Sequence, residues 1–139
     1  MTAAGEEPET RAAQSPAQPD FPPDRGEDLC EVVVTAPDAQ WLASFARSLV
    51  EDRVCACGHV IDVIRSIYRW QGRVHDEAEA RVALHTRLEL VPEIVRRARA
   101  QHPYEVPAVI ALPMAGGSPE YLRWVREETA ETGGESGER

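Results

Sequence analysis

Two long runs of strand-forming residues, separated by one short turn, constrain the fold of this chain more than any other feature. The runs cover residues 57–70 and 73–86, and both are rich in β-branched and aromatic residues. Gln71 and Gly72 lie between them, and glycine in this position is typical of a tight hairpin turn. The sequence therefore predicts a β-hairpin whose two strands are unusually long.

Ahead of the hairpin, the sequence predicts one strand and one helix. Residues 29–35 are rich in valine, which indicates a strand. Apolar residues then recur every three or four positions, which predicts an amphipathic helix over residues 39–52. Asp38 stands just before this helix and is a residue type that caps helix N-termini well.

After the hairpin, the sequence predicts two further helices with a strand between them. The first helix begins at about Glu89 and must end by His102, because Pro103 disfavours helical dihedral angles in the residue before it. Residues 108–112 form the strand. The last helix begins after Ser118, with a proline at its first position.

The predicted order of elements is β-α-β-β-α-β-α. Its two central strands form the hairpin, and each of the first two helices connects strands that can lie in one sheet. This is the order of the ferredoxin-like split βαβ fold, of the α+β class, with one additional helix. We therefore predict a ferredoxin-like domain with a long hairpin.

The hairpin carries apolar residues on both faces, although two helices can cover only one face of such a sheet. A strand that faces water on one side is expected to have a polar face. We therefore predict that sheets of different subunits cover each other, with Ile64, Tyr68 and Trp70 in the interface. The alternative is a hairpin that folds back over its own sheet.

Charge and composition divide the chain of 139 residues into a domain and two tails. Of the net charge of −9, residues 1–28 carry −5 and residues 126–139 carry −3, which leaves −1 for the middle. We predict that 1–28 is a disordered acidic, proline-rich tail, 29–129 the domain, and 130–139 a second disordered tail. A nearly neutral domain argues against nucleic acid as a partner.

Several short stretches together resemble the CutA divalent-cation-tolerance family. They occur in a specific order and spacing that spans about residues 30–125. The stretches are Val34-Thr35-Ala36-Pro37-Asp38, Ala56-Cys57, Ser66-Ile67-Tyr68-Arg69-Trp70-Gln71-Gly72, His102-Pro103-Tyr104-Glu105-Val106-Pro107, Ile110-Ala111-Leu112-Pro113 and Tyr121-Leu122-x-Trp124.

This resemblance implies a ferredoxin-like protomer and a tight homotrimer made through the hairpin strands. It also implies a role in tolerance to copper and other divalent metals, because copper binding is described for some members. In addition, it implies a likeness of architecture to the PII signalling trimers, which bind small effectors at clefts between subunits.

The sharpest local motif is Cys55-x-Cys57-x-His59, at the start of the first hairpin strand. Residues two apart on a strand point to the same face, so the motif places two thiols and an imidazole in a row. These donors suit copper or zinc, although no cofactor is obligatory. We predict metal ligation by Cys57 and His102, with His59 and Glu105 as further ligands. The alternative is that the cysteines pack as small apolar residues.

The position of His85 depends on the register of the hairpin, which the sequence leaves open. A two-residue turn pairs residues whose numbers sum to 143, so that His59 faces Leu84 and His85 projects from the other side. A three-residue turn or one bulge changes the sum to 144 and makes the two histidines neighbours. Many relatives in the family that the chain resembles carry a lysine at this position, which could bind an anion.

A second functional hypothesis follows from that likeness to PII trimers. A cleft between subunits, lined by Trp70, His85 and Tyr104, would bind a small anionic ligand or a protein partner. A third is an inert trimeric scaffold. The sequence contains no motif typical of an enzyme. The acidic N-terminus has no apolar signal-peptide core and no stretch is long enough to span a membrane, so we expect a cytoplasmic protein without a membrane partner.

Overall fold

The computed structural model describes residues 26–130, which contain four strands and three α-helices. In chain order these are β1 (Leu29–Ala36), α1 (Ala39–Glu51), β2 (Cys57–Trp70), β3 (Arg73–Arg87), α2 (Val91–Gln101), β4 (Val109–Pro113) and α3 (Pro119–Glu128), with a 3₁₀-helix at Leu88–Leu90 before α2. The predicted order of elements is confirmed. Apart from residues 26–28 and Ala130, the predicted tails lie outside the described residues, and the domain boundaries stay predictions.

The four strands form one antiparallel sheet with the order β2-β3-β1-β4. Helix α1 joins β1 to β2, and helix α2 joins β3 to β4. In each of these pairs one other strand lies between the two partners, as the split βαβ pattern requires. The prediction of a ferredoxin-like α+β fold is confirmed. The sheet places the beginning of β2 and the end of β3 next to each other, far from the hairpin turn.

Helices α1 and α2 cover one face of the sheet and enclose the main core. Alternate residues of β1 and β3 point into this core because side chains on a strand alternate between faces. Complete burial of one such aliphatic side chain contributes about 1.5–3 kcal/mol. The largest fully buried members of this core are Val32, Val34, Leu42, Leu49, Val82, Leu84 and Ile94.

The ends of the helices follow the local sequence. The Asp38 carboxylate accepts a hydrogen bond of 3.1 Å from the backbone N–H of Gln40, so the predicted N-cap of α1 is confirmed. Helix α2 ends at Gln101, one residue before His102. Ser118 stands at the N-cap of α3, where its carbonyl accepts from the N–H of Leu122, while its side chain makes no capping bond.

The hairpin turn has two residues, and both have the positive φ angles that such a turn requires. Gln71 has φ 52° and Gly72 has φ 79°. At the other end of β2, Gly58 allows the strand to lie close beneath α1. A Cβ at this position would lie 3.0 Å from a methyl of Leu84 and 3.4 Å from the Cβ of Ala46.

A β-bulge in β2 changes the register halfway along the hairpin. From Trp70 to Ile64 the paired residues sum to 143, as a two-residue turn predicts. Beyond an irregularity between Ile61 and Ile64 the sum becomes 142, so that Cys57 pairs with His85. The predicted value of 144 for a bulged hairpin is wrong, because the extra residue lies in β2 rather than in β3.

Helix α3 covers one end of the other face of the sheet. Its Leu122 and Val125 form a second, small core cluster with Leu29 and Ala56. Elsewhere on this face, Ile110 and Leu112 of β4 are 57% and 46% exposed in a single chain. No helix within residues 26–130 is both long and apolar enough to cross a membrane. The cytoplasmic location stays a prediction.

Candidate metal centre

The bulged register brings Cys57, His59 and His85 together at the end of the hairpin beneath α3. Cys57 and His59 lie two residues apart on β2 and share a face, and His85 of β3 lies directly opposite Cys57. One potential ligand atom of each residue, a thiol sulfur or a ring nitrogen, lies within 4.8 Å of those of the other two. The rings of the two histidines are 5.5 Å apart between centroids. They are therefore neighbours, diagonally across the hairpin.

Hydrogen bonds on both sides of His85 fix the orientation of its ring. The Nε2–H donates to Oε1 of Glu31 over 2.9 Å. Nδ1 forms a hydrogen bond of 2.5 Å with the hydroxyl of Tyr121 and lies 3.8 Å from the sulfur of Cys57. Because Nε2 is bonded to Glu31, Nδ1 is the ring nitrogen that points into the cluster. A carboxylate behind a histidine in this way is the usual support of a metal ligand.

The electrostatics of the cluster favour the thiolate form of Cys57. Burial raises the pKa of this thiol, but hydrogen bonds with His85 and Tyr121 outweigh that effect, and its net pKa is lowered. The hydrogen bond with Cys57 and that with Glu31 raise the pKa of His85 against the opposing effect of burial. Since the thiolate is the form that binds metals, Cys57 is well placed as a ligand.

The other two cysteines are not part of this cluster. Cys55 precedes β2 and is completely buried in the main core, as is Cys30. Burial raises the pKa of both thiols, that of Cys30 to about 11. The predicted row of two thiols and one imidazole is therefore reduced to Cys57 and His59.

His102 is held in a different part of the molecule, with both ring nitrogens in hydrogen bonds. Nε2 donates to the carbonyl of Thr35 over 2.8 Å, and Nδ1 accepts from the backbone N–H of Tyr104 over 2.9 Å. The ring is buried against Trp41. This leaves no lone pair for a metal. Glu105 is exposed on the following loop, and neither residue reaches Cys57.

Trp70 and Tyr104 line a cavity of about 600 Å³ near the hairpin turn, while His85 lies at the other end of β3. Within one chain these three residues do not share a cavity, and the cleft between subunits stays a prediction. Glu79, which is 6% exposed, accepts a hydrogen bond of 2.7 Å from the hydroxyl of Tyr104 at the wall of this cavity. Glu105 also lines it.

The predicted interface residues are only partly accessible in a single chain. Ile64 and Tyr68 are half-buried, and Trp70 is 39% exposed. The largest apolar exposure on the hairpin lies elsewhere, at Val63, Ile67 and Val74, which are 71%, 65% and 62% exposed.

Comparison with known proteins now identifies the family. The model of the family described as "CutA1 divalent ion tolerance protein" matches residues 30–128. The chain belongs to the CutA1 family.

Individual members of the CutA1 family are similar over most of the described domain. The divalent-cation tolerance protein CutA of Thermus thermophilus is 41% identical over 98 residues, which are 70% of this chain and 95% of that protein. The protein CutA of Mus musculus is 39% identical over 119 residues, 82% of this chain and 66% of the mouse protein.

Solved CutA1 structures also have the same fold. The structure from Thermus thermophilus covers 73% of this chain and 99% of its own, with a TM-score of 0.71 and 39% identity. CutA1 from Oryza sativa has a TM-score of 0.72 and 35% identity, and the match covers 75% of this chain and 95% of that one.

Two residues that contact this cluster, Glu31 and Tyr121, were not identified as site residues from the sequence. Glu31 interrupts a valine-rich strand, and its parity places it on the face of β1 that α1 and α2 do not cover, beside His85. That parity is a signal that sequence reasoning could have used. Tyr121 lies at a helical spacing that indicates core packing, and only the docking of α3 brings its hydroxyl to Cys57, at 3.2 Å.

Proposed function

We propose that this CutA1 family member is a homotrimer that binds copper or zinc through Cys57, His59 and His85 and thereby contributes to divalent-cation tolerance. The observation that carries the proposal is the convergence of one thiol and two imidazoles within 4.8 Å. Thiolate and imidazole are ligands that these metals prefer. The relatives' names refer to divalent-cation tolerance, which agrees with an ion as the ligand. The protein binds its ion rather than catalysing a reaction.

A homotrimer is supported by the hairpin, which extends beyond the helices and exposes large aliphatic side chains. Exposed apolar patches mark protein–protein interaction sites, and Val63, Ile67 and Val74 of the hairpin are 71%, 65% and 62% exposed. Self-association through these strands would bury both faces of the hairpin, as its sequence pattern requires.

Metal titration of the reduced, metal-stripped protein tests the proposed site. We expect native mass spectrometry to show uptake of about one Zn(II) per chain, by analogy with three-ligand zinc centres. The Glu105→Gln variant should bind the same amount, since Glu105 lies outside the cluster. Failure of the wild-type protein to take up Zn(II) or copper would contradict the proposal.

The cavity beside Trp70 and Tyr104 supports a second candidate function, the binding of a small molecule. The described residues that line it include three aromatic side chains and the carboxylates of Glu79 and Glu105, and none of them is basic. This chemistry suits an organic cation rather than the anionic ligand that the sequence predicts, because aromatic faces and carboxylates both attract positive charge.

Binding of tetramethylammonium tests this second candidate. We expect chemical-shift changes in the indole of Trp70 with a dissociation constant on the order of 1 mM, which corresponds to about −4 kcal/mol. Glu79→Gln should weaken this binding severalfold, while His59→Gln should leave it unchanged because His59 lies at the far end of β2. Equal binding of acetate and tetramethylammonium would contradict a cation site.

A further inference from the structure

Helix α3 holds Tyr121 in a defined position over the cluster of Cys57, His59 and His85. The next residue, Leu122, and Val125 are buried in the small core cluster with Leu29 and Ala56, which anchors the helix against the end of the sheet. The ring of Tyr121 also contacts the rings of His85 and Trp124, with centroids 5.7 and 5.6 Å apart. The phenol is therefore packed on two sides, and its hydroxyl is directed at the ligand atoms of β2 and β3.

The oxygen of Tyr121 lies close to two of the proposed ligand atoms at once. It is 3.2 Å from the sulfur of Cys57 and 2.5 Å from Nδ1 of His85, while the sulfur and Nδ1 are 3.8 Å apart. In a tetrahedral Zn(II) centre, with metal–ligand bonds of the usual lengths, neighbouring ligand atoms are about 3.3–3.6 Å apart. Two of the three distances agree with this spacing to within a few tenths of an ångström.

The third distance is short because a hydrogen bond joins Tyr121 to His85. An entering ion would replace that bond, and the oxygen and nitrogen would separate by about 0.8 Å to the spacing of a tetrahedral centre. The phenol of Tyr121 makes this hydrogen bond before an ion enters. Its proton passes to solvent when the metal–oxygen bond forms.

We propose that the hydroxyl oxygen of Tyr121 is the fourth ligand of the metal, completing a tetrahedron with Cys57, His59 and His85. This inference rests on the proposed metal function. The oxygen of Tyr121 would occupy the fourth coordination position, which a site with three protein ligands leaves to water. A thiolate and a phenolate together also balance the two charges of a divalent ion, whereas a monovalent ion would leave a net negative charge beside Glu31. The centre therefore favours a divalent ion.

The Tyr121→Phe variant, which removes only the hydroxyl, tests the fourth ligand. We expect Zn(II) binding to weaken by about 10–100-fold in competition with a chromophoric chelator, as for loss of a metal-supporting group. The wild-type protein should develop the ultraviolet difference band of one tyrosinate per chain on saturation with Zn(II), and the variant should not. With Co(II), the wild-type protein should show the intense visible bands of a tetrahedral centre. These bands should change in the variant, where a water molecule replaces the oxygen of Tyr121.

Tyr104→Phe is the matched control, since it removes a tyrosine hydroxyl that bonds to Glu79 instead. Circular dichroism establishes that each variant is folded. A wild-type protein that binds Zn(II) without a tyrosinate band, and with affinity unchanged in Tyr121→Phe, would overturn the fourth ligand but leave the three-residue site. A wild-type protein that binds no metal would overturn both proposals.

Discussion

Replacement of Cys57 by serine is expected to lower the affinity for Zn(II) by more than about a hundredfold, beyond the loss typical of a supporting residue. The thiolate is the one soft, anionic donor that β2 contributes to the cluster, and its lowered pKa favours the form that binds metal. Serine keeps the size of the side chain, but its hydroxyl stays protonated. Chelator competition and native mass spectrometry of the metal-stripped protein measure this effect.

The control for this experiment is Cys55→Ala, which removes a thiol two residues away. Cys55 lies in the main core, so its loss should lower the free energy of unfolding, since it leaves a small cavity. It should leave about one Zn(II) per chain, because Cys55 contributes no ligand. Equal loss of zinc in both variants would mean that the thiols act through folding, and unchanged binding in Cys57→Ser would refute the site.

The sequence was sufficient for the order of elements because each element has a local signal. Valine-rich runs, helical spacing, Asp38 before α1 and Pro119 at the start of α3 are all short-range features. The turn was equally clear, since Gly72 adopts its positive φ without steric cost. These features depend only on residues close together in the chain.

The bulge in β2 could not be predicted in the same way. Asp62 and Val63 are the two residues of β2 that lie between the paired positions Ile61 and Ile64, and both are exposed. Neither is a glycine or a proline, which would have marked an irregularity. The register is set instead by the core, where Val82 and Leu84 must keep facing the helices.

The candidate site was therefore only half predictable. The spacing of Cys57 and His59 on one strand was enough to place them side by side. The position of His85 required the register of the hairpin. That of Tyr121 required the docking of α3, because Tyr121 lies 36 residues after His85 in the chain. His102 was chosen because it lies near a helix C-terminus and close to Glu105, but both of its ring nitrogens form hydrogen bonds within the chain.

Replacement of Ile67 by glutamate is expected to convert the proposed trimer into monomers. Ile67 lies in the middle of the distal half of β2 and is 65% exposed in a single chain, opposite Asp76 on β3. Burial of such a side chain contributes about 1.5–3 kcal/mol, and the symmetry of a trimer repeats it three times. Burial of a carboxylate at this position costs more still. The nearby guanidinium of Arg65 is already paired with Asp76, the residue opposite Ile67. Sedimentation velocity at micromolar concentration measures the change in mass.

Val50→Glu is the matched control for this variant, because Val50 is an exposed aliphatic residue on α1, away from the hairpin. It should remain a trimer, since a surface substitution of this kind usually changes stability by less than about 0.5 kcal/mol. The far-ultraviolet spectrum of Ile67→Glu should still show the folded domain, because the main core does not include Ile67. If Ile67→Glu sediments as the wild-type protein does, the exposed face of the hairpin is not the interface. If the wild-type protein is itself monomeric, the two apolar faces of β2 need another partner.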